Sequence, residues 1–167
     1  MTDVVNAATR SRMMAGIKNR NTQPEIAVRR GLHKVGLRFR LAGAVLPGKP
    51  DVILPKHNTA VFVHGCYWHA HSCGDFHLPS TNTDFWRNKL AANVRRDRAR
   101  TRDLQRAGWR VLVIWECAIK PARAQNETQA LFQSARDWVI NYDQPYLEFS
   151  KGRGHVVSKR RSTNRSL

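Results

Sequence analysis

The stretch HGCYWHAHSC, residues 64 to 73, concentrates three histidines, two cysteines and two aromatic rings in one short loop. Cys66, His71 and Cys73 follow the spacing C-x4-H-x-C, and Cys117 is the third cysteine of the chain. An odd number of cysteines argues against a disulfide framework, whereas three thiolates and one imidazole form a closed, structural zinc site. We therefore predict that Cys66, His71, Cys73 and Cys117 bind zinc. The alternative is that the cysteines are unrelated buried residues.

Two histidines of this loop, His64 and His69, remain for other chemistry. Phosphodiester hydrolysis needs a metal ion at the phosphate, an activated water and a group that takes the proton of that water. A carboxylate suits Mg²⁺ and a histidine suits the proton, so Asp51 in GKPDVIL is the candidate metal ligand. A hairpin turn near His57 would place residue 51 opposite residue 63, with the carboxylate near the Val63 carbonyl. A register shifted by one residue would bring His64 onto the Asp51 face instead.

Glu25 is a candidate second carboxylate of the same site. Thr22 precedes it by three residues, which is also the spacing of a capping box, so Glu25 could serve only as a helix cap. Asp51 could likewise be a turn residue after Pro50, and His64 and His69 could both be surface side chains. The residue types favour a hydrolytic site but leave these structural alternatives open.

Aromatic residues lie in the same region of the sequence. Tyr67 and Trp68 occur in a polar loop, and Phe85-Trp86 opens a strongly basic segment. Rings that stack on unpaired or damaged bases recover ~1–3 kcal/mol per base. This pattern indicates DNA contacts for Tyr67 and Trp68, while Phe85 is expected to belong to the core.

The overall charge favours a polyanionic partner. The chain has 29 Lys and Arg against 12 Asp and Glu, a formal net charge of +17 in 167 residues. Nucleic acid is the leading candidate, and an anionic membrane surface is disfavoured because no basic helix has a clean apolar face. No apolar run could span a membrane and no secretory signal is visible, so we expect a cytoplasmic protein.

The elements that must position these residues follow a mixed α/β order. We predict a single domain over residues 1–143, with a mixed central sheet flanked by helices. The predicted helices cover about 9–18, 23–35, 83–108 and 127–141, and the predicted extended segments are 37–41, 51–54, 60–64 and 109–116. Residues 144–167 are too poor in apolar residues to fold alone, so they are expected to form a flexible basic tail.

Six segments of this sequence resemble, in order and spacing, those of the very short patch repair (Vsr) DNA mismatch endonucleases. They are TRSRMM, TQPE, LPGKPDVIL, VFVHGCYWHAHSC, FWRNKLAANVRRDR and GWRVLVIWECAI, which together span about Thr9 to Ile119. The resemblance implies a relative of the PD-(D/E)xK restriction-endonuclease fold. It also implies an Mg-dependent enzyme that nicks one DNA strand 5′ of the thymine in a T:G mismatch left by deamination of 5-methylcytosine.

The resemblance also implies a role for each matched residue. Asp51 and the backbone carbonyl of Val63 would hold Mg²⁺. His69 would be the general base, supported by His64 and Glu25. Tyr67, Trp68 and Trp86 would wedge into the duplex, Lys89 and Asn93 would read bases, and the N-terminal helix around Met14 would enter the minor groove. The enzyme would act as a monomer, with a functional link to a DNA cytosine methyltransferase and to mismatch-repair proteins.

The sequence departs from the family at three places. Tyr67 stands where phenylalanine is usual, Val63 replaces a threonine found in some members, and the tail from Gln144 has no recognisable counterpart. Restriction enzymes usually have an acid and a lysine where this chain has Phe62 and His64. The competing functions are a restriction-type nuclease that cuts both strands of unmodified DNA and a zinc-stapled DNA-binding protein without catalysis.

Overall fold

A computed structural model of the chain describes Thr9 and residues 20–41, 46–74, 76–120 and 125–151. In chain order the elements are helix α1 (Gln23–Lys34), strand β1 (Val52–Leu54), a 3₁₀ turn (Pro55–His57), strand β2 (Thr59–His64), helix α2 (Thr83–Arg106), strand β3 (Arg110–Trp115), a second 3₁₀ turn (Glu116–Ala118), helix α3 (Gln125–Asn141) and strand β4 (Tyr146–Phe149). Apart from Thr9, the predicted N-terminal helix with Met14 lies outside the described residues.

The strands form one four-stranded sheet in the order β1-β2-β3-β4. β1 is antiparallel to β2, and the other two pairs are parallel. The predicted mixed α/β class is thereby confirmed. The extended segment predicted at 37–41 does not form a strand: it meets β1 at a single residue pair, the isolated bridge between Arg40 and Ile53.

The C-terminal part of the sheet differs from the sequence prediction. Residues 146–149, which we assigned to the basic tail, form β4 and pair in parallel with β3. Arg110 explains why this short segment is ordered: its guanidinium donates to the backbone carbonyls of Trp138, Val139 and Gln144 and so ties the end of α3 to the start of β4. The tail prediction is therefore wrong for 146–149, and residues 152–167 lie outside the described part.

The two faces of the sheet carry separate apolar clusters. Because side chains alternate along a strand, Val61, Leu112 and Ile114 face α1 and α3, whereas Val111 and Val113 pack with Leu104 of α2. The helices α1 and α3 approach closely at Gly31, where an added Cβ would lie 2.2 Å from the Phe132 ring. By the same alternation Phe62, and with it His64 at the end of β2, lies on the α2 side of the sheet.

Helix α2 covers that second face and carries many of the basic residues. Thr83 opens the basic segment, and its residue type predicts a helix cap there. The prediction is wrong: the N-cap position belongs to Asn82, in a left-handed conformation (φ 50°), and the Thr83 hydroxyl donates to the carbonyls of Pro79 and Ser80. Leu90 and Leu104 are buried. None of the helices in the described part of the chain is long and apolar enough to cross a membrane.

Candidate active site and metal cluster

Asp51 lies just before β1 and is held against β2. The ladder pairs Val52 with Val61, one residue away from the register that would put residue 51 opposite residue 63. The Val63 amide donates to Oδ2 of Asp51 at 2.7 Å. Burial raises the pKa of Asp51 to about 6, because the hydrogen bond from Val63 compensates only part of the cost of removing a charged carboxylate from water.

Glu25 acts both as a cap and as part of the cleft. Thr22 Oγ1 accepts from the Glu25 amide at 3.4 Å and donates to Glu25 Oε1 at 2.9 Å, so the predicted cap exists. The Glu25 side chain also pairs with Arg29 at 3.0 Å and is almost fully buried. Because Glu25 lines the same cleft as Asp51, the two roles do not exclude each other.

His64 and His69 form a stacked pair in this cleft. Their ring centroids are 4.0 Å apart and their planes differ by 5°. Burial, together with the positive charge that His69 can carry, lowers the pKa of His64 to about 3. His64 is therefore neutral near neutral pH and can only accept or donate a hydrogen bond there.

Asp97 is the residue that the sequence analysis missed. Its Oδ2 lies 2.5 Å from Nδ1 of His69, 28 residues away along the chain. Burial acts to raise the pKa of Asp97, but the hydrogen bond and charge of His69 outweigh it and hold this pKa below its ordinary value. The one trace of it in the sequence is a single acid in the arginine-rich run VRRDRARTR of α2. A carboxylate on Nδ1 orients the imidazole so that Nε2 can take a proton.

These groups share a cleft with a volume of about 830 Å³. Among its acidic and imidazole side chains, the polar atoms of His64, His69 and Asp97 lie within 4.8 Å of one another, and its cationic side chains come from the 46–50 loop and from α2. Gly48, at φ 79°, allows that loop to approach α2, since an added Cβ would lie 2.9 Å from Cβ of Arg100. The cleft-lining residues with charge or an imidazole are Glu25, Lys49, Asp51, His64, His69, Lys89, Arg96, Asp97, Arg100 and Glu116.

The four predicted zinc ligands come together at the end of β3. The ligand atoms of Cys66, His71, Cys73 and Cys117 all lie within 4.8 Å of one another. The distance from Sγ of Cys117 to Nδ1 of His71 is 3.6 Å. Tetrahedral zinc with its usual bond lengths to sulfur and nitrogen separates such atoms by about 3.6 Å, so the donor set and its spacing fit this ion.

Two thiols of this cluster, those of Cys66 and Cys117, hold their protons more strongly than an exposed cysteine does, and a bound metal would take the place of these protons. Burial and the neighbouring thiols raise the pKa of Cys66 to about 12, and burial likewise raises the pKa of Cys117. The loop is held by hydrogen bonds from the Cys66 amide to Oε2 of Glu116 at 3.3 Å and from the His71 amide to the Cys66 carbonyl at 3.0 Å. The Lys151 amide, just past β4, donates to Sγ of Cys117. The cluster therefore joins the loop, the end of β3 and the end of β4.

An aromatic group lies beside the cleft. The ring centroids of Tyr67 and Trp86 are 5.9 Å apart, and those of Trp68 and Trp86 are 6.3 Å apart. Lys89 Nζ lies over the Trp86 ring at 5.1 Å from its centroid. Phe85 is 58% exposed, so its prediction as a core residue is wrong: successive helical residues point about 100° apart, and Trp86 takes the inward position.

Asn93 lies one turn of α2 beyond Lys89 and supports the loop. Its amide Nδ2 donates to the Trp68 carbonyl at 2.9 Å, and its Oδ1 accepts from Arg96 at 3.0 Å. The structure therefore brings the predicted DNA-contacting residues Tyr67, Trp68, Trp86, Lys89 and Asn93 to one side of the cleft.

Comparison with known proteins agrees with this arrangement. Residues 2–75 match the family model described as DNA mismatch endonuclease Vsr. The chain is 42% identical to the DNA mismatch endonuclease Vsr of Escherichia coli, over 83% of this chain and 88% of that protein. It is also 42% identical to the type II nicking enzyme V.NmeAIP of Neisseria meningitidis, over 72% and 86% of the two chains, and 43% identical to the type II nicking enzyme V.XorIIP of Xanthomonas oryzae, over 71% and 88%. The resemblance inferred from the sequence motifs is confirmed, and the chain belongs to the Vsr family of DNA mismatch endonucleases, with its restriction-endonuclease-like fold.

Proposed function

We propose that this protein is a DNA mismatch endonuclease that nicks one strand 5′ of the thymine in a T:G mismatch. The observation that carries the proposal is the His69–Asp97 pair, which shares one cation-rimmed cleft with Asp51. Cations along the cleft suit a phosphate backbone. The similarity to enzymes named mismatch endonuclease and nicking enzyme supports cleavage of a single strand.

In this mechanism the Asp51 carboxylate and the Val63 carbonyl would hold Mg²⁺, which prefers oxygen ligands. The bound ion would neutralise charge on the phosphate and lower the pKa of a water. His69 accepts the proton of the attacking water at Nε2, while Asp97 stabilises the resulting imidazolium. The water oxygen bonds to phosphorus as the bond from phosphorus to the 3′ oxygen breaks. The leaving oxygen takes a proton from the solvent, which gives a 3′ hydroxyl and a 5′ phosphate. His64 and Glu25 would orient the water and the phosphate.

The second metal in the proposal is a structural zinc ion held by Cys66, His71, Cys73 and Cys117. Four protein ligands leave no open position for a substrate, so this site would order the loop and not take part in cleavage. The ordered loop carries His69 and the two aromatic residues Tyr67 and Trp68.

Recognition of the mismatch would fall to the aromatic group. Tyr67, Trp68 and Trp86 would stack on bases next to the mismatch, where unpairing costs least. Lys89 and Asn93 would contact base edges, and Met14 is proposed to enter the minor groove. The partner is double-stranded DNA with a T:G mismatch, bound by a monomer. A functional link to a DNA cytosine methyltransferase and to mismatch-repair proteins, and a cytoplasmic location, stay predictions.

A matched set of 5′-labelled duplexes tests this function. One series of duplexes carries a T:G mismatch in varied flanking sequences, and a further duplex is fully paired. All are incubated with the protein and Mg²⁺ and resolved on a denaturing gel. We expect a single nick 5′ of the mismatched thymine, lost in Asp51→Asn and retained in Asp137→Asn, a control on α3 that does not line the cleft. Cuts in both strands of paired DNA would instead indicate a restriction-type nuclease, and tight binding without cleavage would indicate a DNA-binding protein.

A further inference from the structure

Trp115 lies between two groups of side chains. On one side is the cysteine–histidine cluster of Cys66, His71, Cys73 and Cys117, and on the other are the cleft histidines His64 and His69. Its indole stacks on the His71 ring with centroids 4.0 Å apart and planes at 14°. The same indole meets His64 edge-on at 5.2 Å and His69 edge-on at 6.2 Å. One side chain thus contacts the imidazole of the metal cluster and both imidazoles of the cleft.

The strand register brings this contact about. Trp115 is the last residue of β3, and its Cα is the parallel partner of His64 at the end of β2. Partners in a parallel pair project to the same face of the sheet, so both side chains point toward α2. Cys117 follows Trp115 by two residues and belongs to the cysteine–histidine cluster. A shift of the register by one residue would put the indole on the opposite face.

The indole is itself held from β4. Its Nε1–H donates to Oε2 of Glu148 at 3.4 Å, and the same oxygen accepts from the Tyr146 hydroxyl at 2.9 Å. Because β4 follows β3 in parallel register, these two side chains lie beside Trp115 on the same face. The position of the indole ring therefore depends on its contacts with β2, with the cysteine-rich loop and with β4.

The cleft histidines need such support because they separate two open spaces. His64, His69 and Asp97 line the cleft that contains Asp51, and they also line a second cavity of about 680 Å³ on the side of β4. Trp115 lines this second cavity as well. A side chain bordered by cavities on two sides is restrained by few contacts, so the ring contacts of Trp115 add to the hydrogen bond between His69 and Asp97 and to the stacking of the two imidazoles.

We propose that Trp115 is a positioning residue of the His64–His69 pair. Together with Asp97, which holds Nδ1 of His69, it sets the orientation of the two imidazoles relative to His71 and thereby relative to the cysteine–histidine cluster. This inference rests on the proposed function for its effect on turnover, but the ring geometry can be tested without any DNA. Misplacement of a reacting group by about 1 Å can cost a factor of about 100 in rate, and this sets the scale of the expected effect.

Three variants separate positioning from general stability. Trp115→Leu removes the ring, and Trp115→Phe keeps a ring but loses the hydrogen bond to Glu148. Trp109→Leu is the matched control: this second tryptophan, just before β3, is partly buried against the Leu104 cluster, and within the residues described it has no ring contact with a histidine. Each variant is assayed for kcat and KM on the T:G duplex, for bound zinc, and for its histidine side-chain NMR signals in the absence of DNA.

We expect Trp115→Leu to lower kcat about 10- to 100-fold with KM changed less than about threefold, and Trp115→Phe to restore most of the rate. The imidazole signals of His64 and His69 should shift or broaden in Trp115→Leu and stay near their wild-type positions in Trp109→Leu. Wild-type kcat or unchanged imidazole signals in Trp115→Leu would overturn the proposal.

Two further outcomes are covered by the same design. If Trp115→Leu does not fold or loses zinc, Glu148→Gln decides between the two interpretations. This variant weakens the hydrogen bond that supports the indole, and it removes no aromatic or imidazole ring. Altered imidazole signals in Glu148→Gln would support the positioning role, and unchanged signals would contradict it. If the wild-type protein does not nick DNA, the proposed function fails, and the NMR comparison still decides whether Trp115 orients the two histidines.

Discussion

His69 and Asp97 form a short contact of 2.5 Å between Nδ1 and Oδ2, across 28 residues of sequence. The contact joins the cysteine-rich loop to helix α2, and it leaves Nε2 as the ring atom that can exchange a proton. In the proposed mechanism the carboxylate both orients the imidazole and stabilises its charged form.

Asp97→Asn should therefore lower the nicking rate by about 10²- to 10⁴-fold, since an amide neither stabilises the imidazolium nor favours the correct tautomer. Single-turnover nicking of a T:G duplex measures this loss. Asp103→Asn is the matched control on the same helix, because Asp103 pairs only loosely with Arg100 at 3.5 Å and does not line the cleft. Equal nicking rates for the two variants would show that Asp97 does not take part in the reaction.

The raised pKa of Asp51, about 6, predicts how metal binding depends on pH. Protons compete with Mg²⁺ for the carboxylate below that pH, so the apparent Mg²⁺ affinity should fall about tenfold per pH unit below pH 6 and level off above it. Titration of nicking against Mg²⁺ concentration from pH 5 to pH 8 measures this. An affinity that does not change between pH 5 and pH 6 would contradict the assignment.

The same shift predicts a change in stability without the metal. The folded pKa lies above the unfolded value of 3.8, so protonated Asp51 contributes stability below about pH 4, and this contribution is lost as the pH rises through about 6. Relative to wild type, metal-free Asp51→Asn should gain about 2–3 kcal/mol between pH 4 and pH 8. Urea unfolding at both pH values provides the comparison, with Asp137→Asn as the control.

Removal of metal from the cysteine–histidine cluster should destabilise the fold locally and abolish nicking. Without an ion, the buried thiols of Cys66 and Cys117 protonate and no longer hold the loop to the end of β3. A chelator should lower the Tm of the wild type by several degrees, as expected for a loss of about 1–3 kcal/mol. Cys73→Ser should start from the lower Tm and respond little to the chelator. A wild-type Tm that is insensitive to a chelator shown to remove the ion would exclude a structural role.

Trp86 should discriminate mismatched from paired DNA, whereas Phe85 should not. The Trp86 ring contacts Tyr67 and Trp68, and Phe85 points away from the core with 58% exposure. Trp86→Ala should weaken binding to the T:G duplex by ~1–3 kcal/mol and binding to the paired duplex by less. Fluorescence anisotropy measures binding to the mismatched and to the paired duplex, with Phe85→Ala as the matched control. An equal loss on the two duplexes would assign Trp86 to nonspecific contacts.

Local patterns in the sequence determined much of this protein. The Thr22–Glu25 spacing predicted the start of α1, the β-branched run at 109–116 predicted β3, and the cysteine and histidine spacing predicted the metal cluster. These features depend on residues a few positions apart or on donor chemistry, which a sequence displays directly.

Only the tertiary structure decided the contacts between distant segments. The pairing of Asp97 with His69, the one-residue offset between β1 and β2, and the addition of β4 to the sheet all depend on how separate elements pack. A lone aspartate among arginines has the same sequence appearance whether it faces water or a histidine. A four-residue strand such as Tyr146–Phe149 is too short for its alternation to stand out, and it is ordered by Arg110, which lies more than thirty residues earlier in the chain. The sequence therefore specified which groups could do chemistry, and packing decided which of them meet.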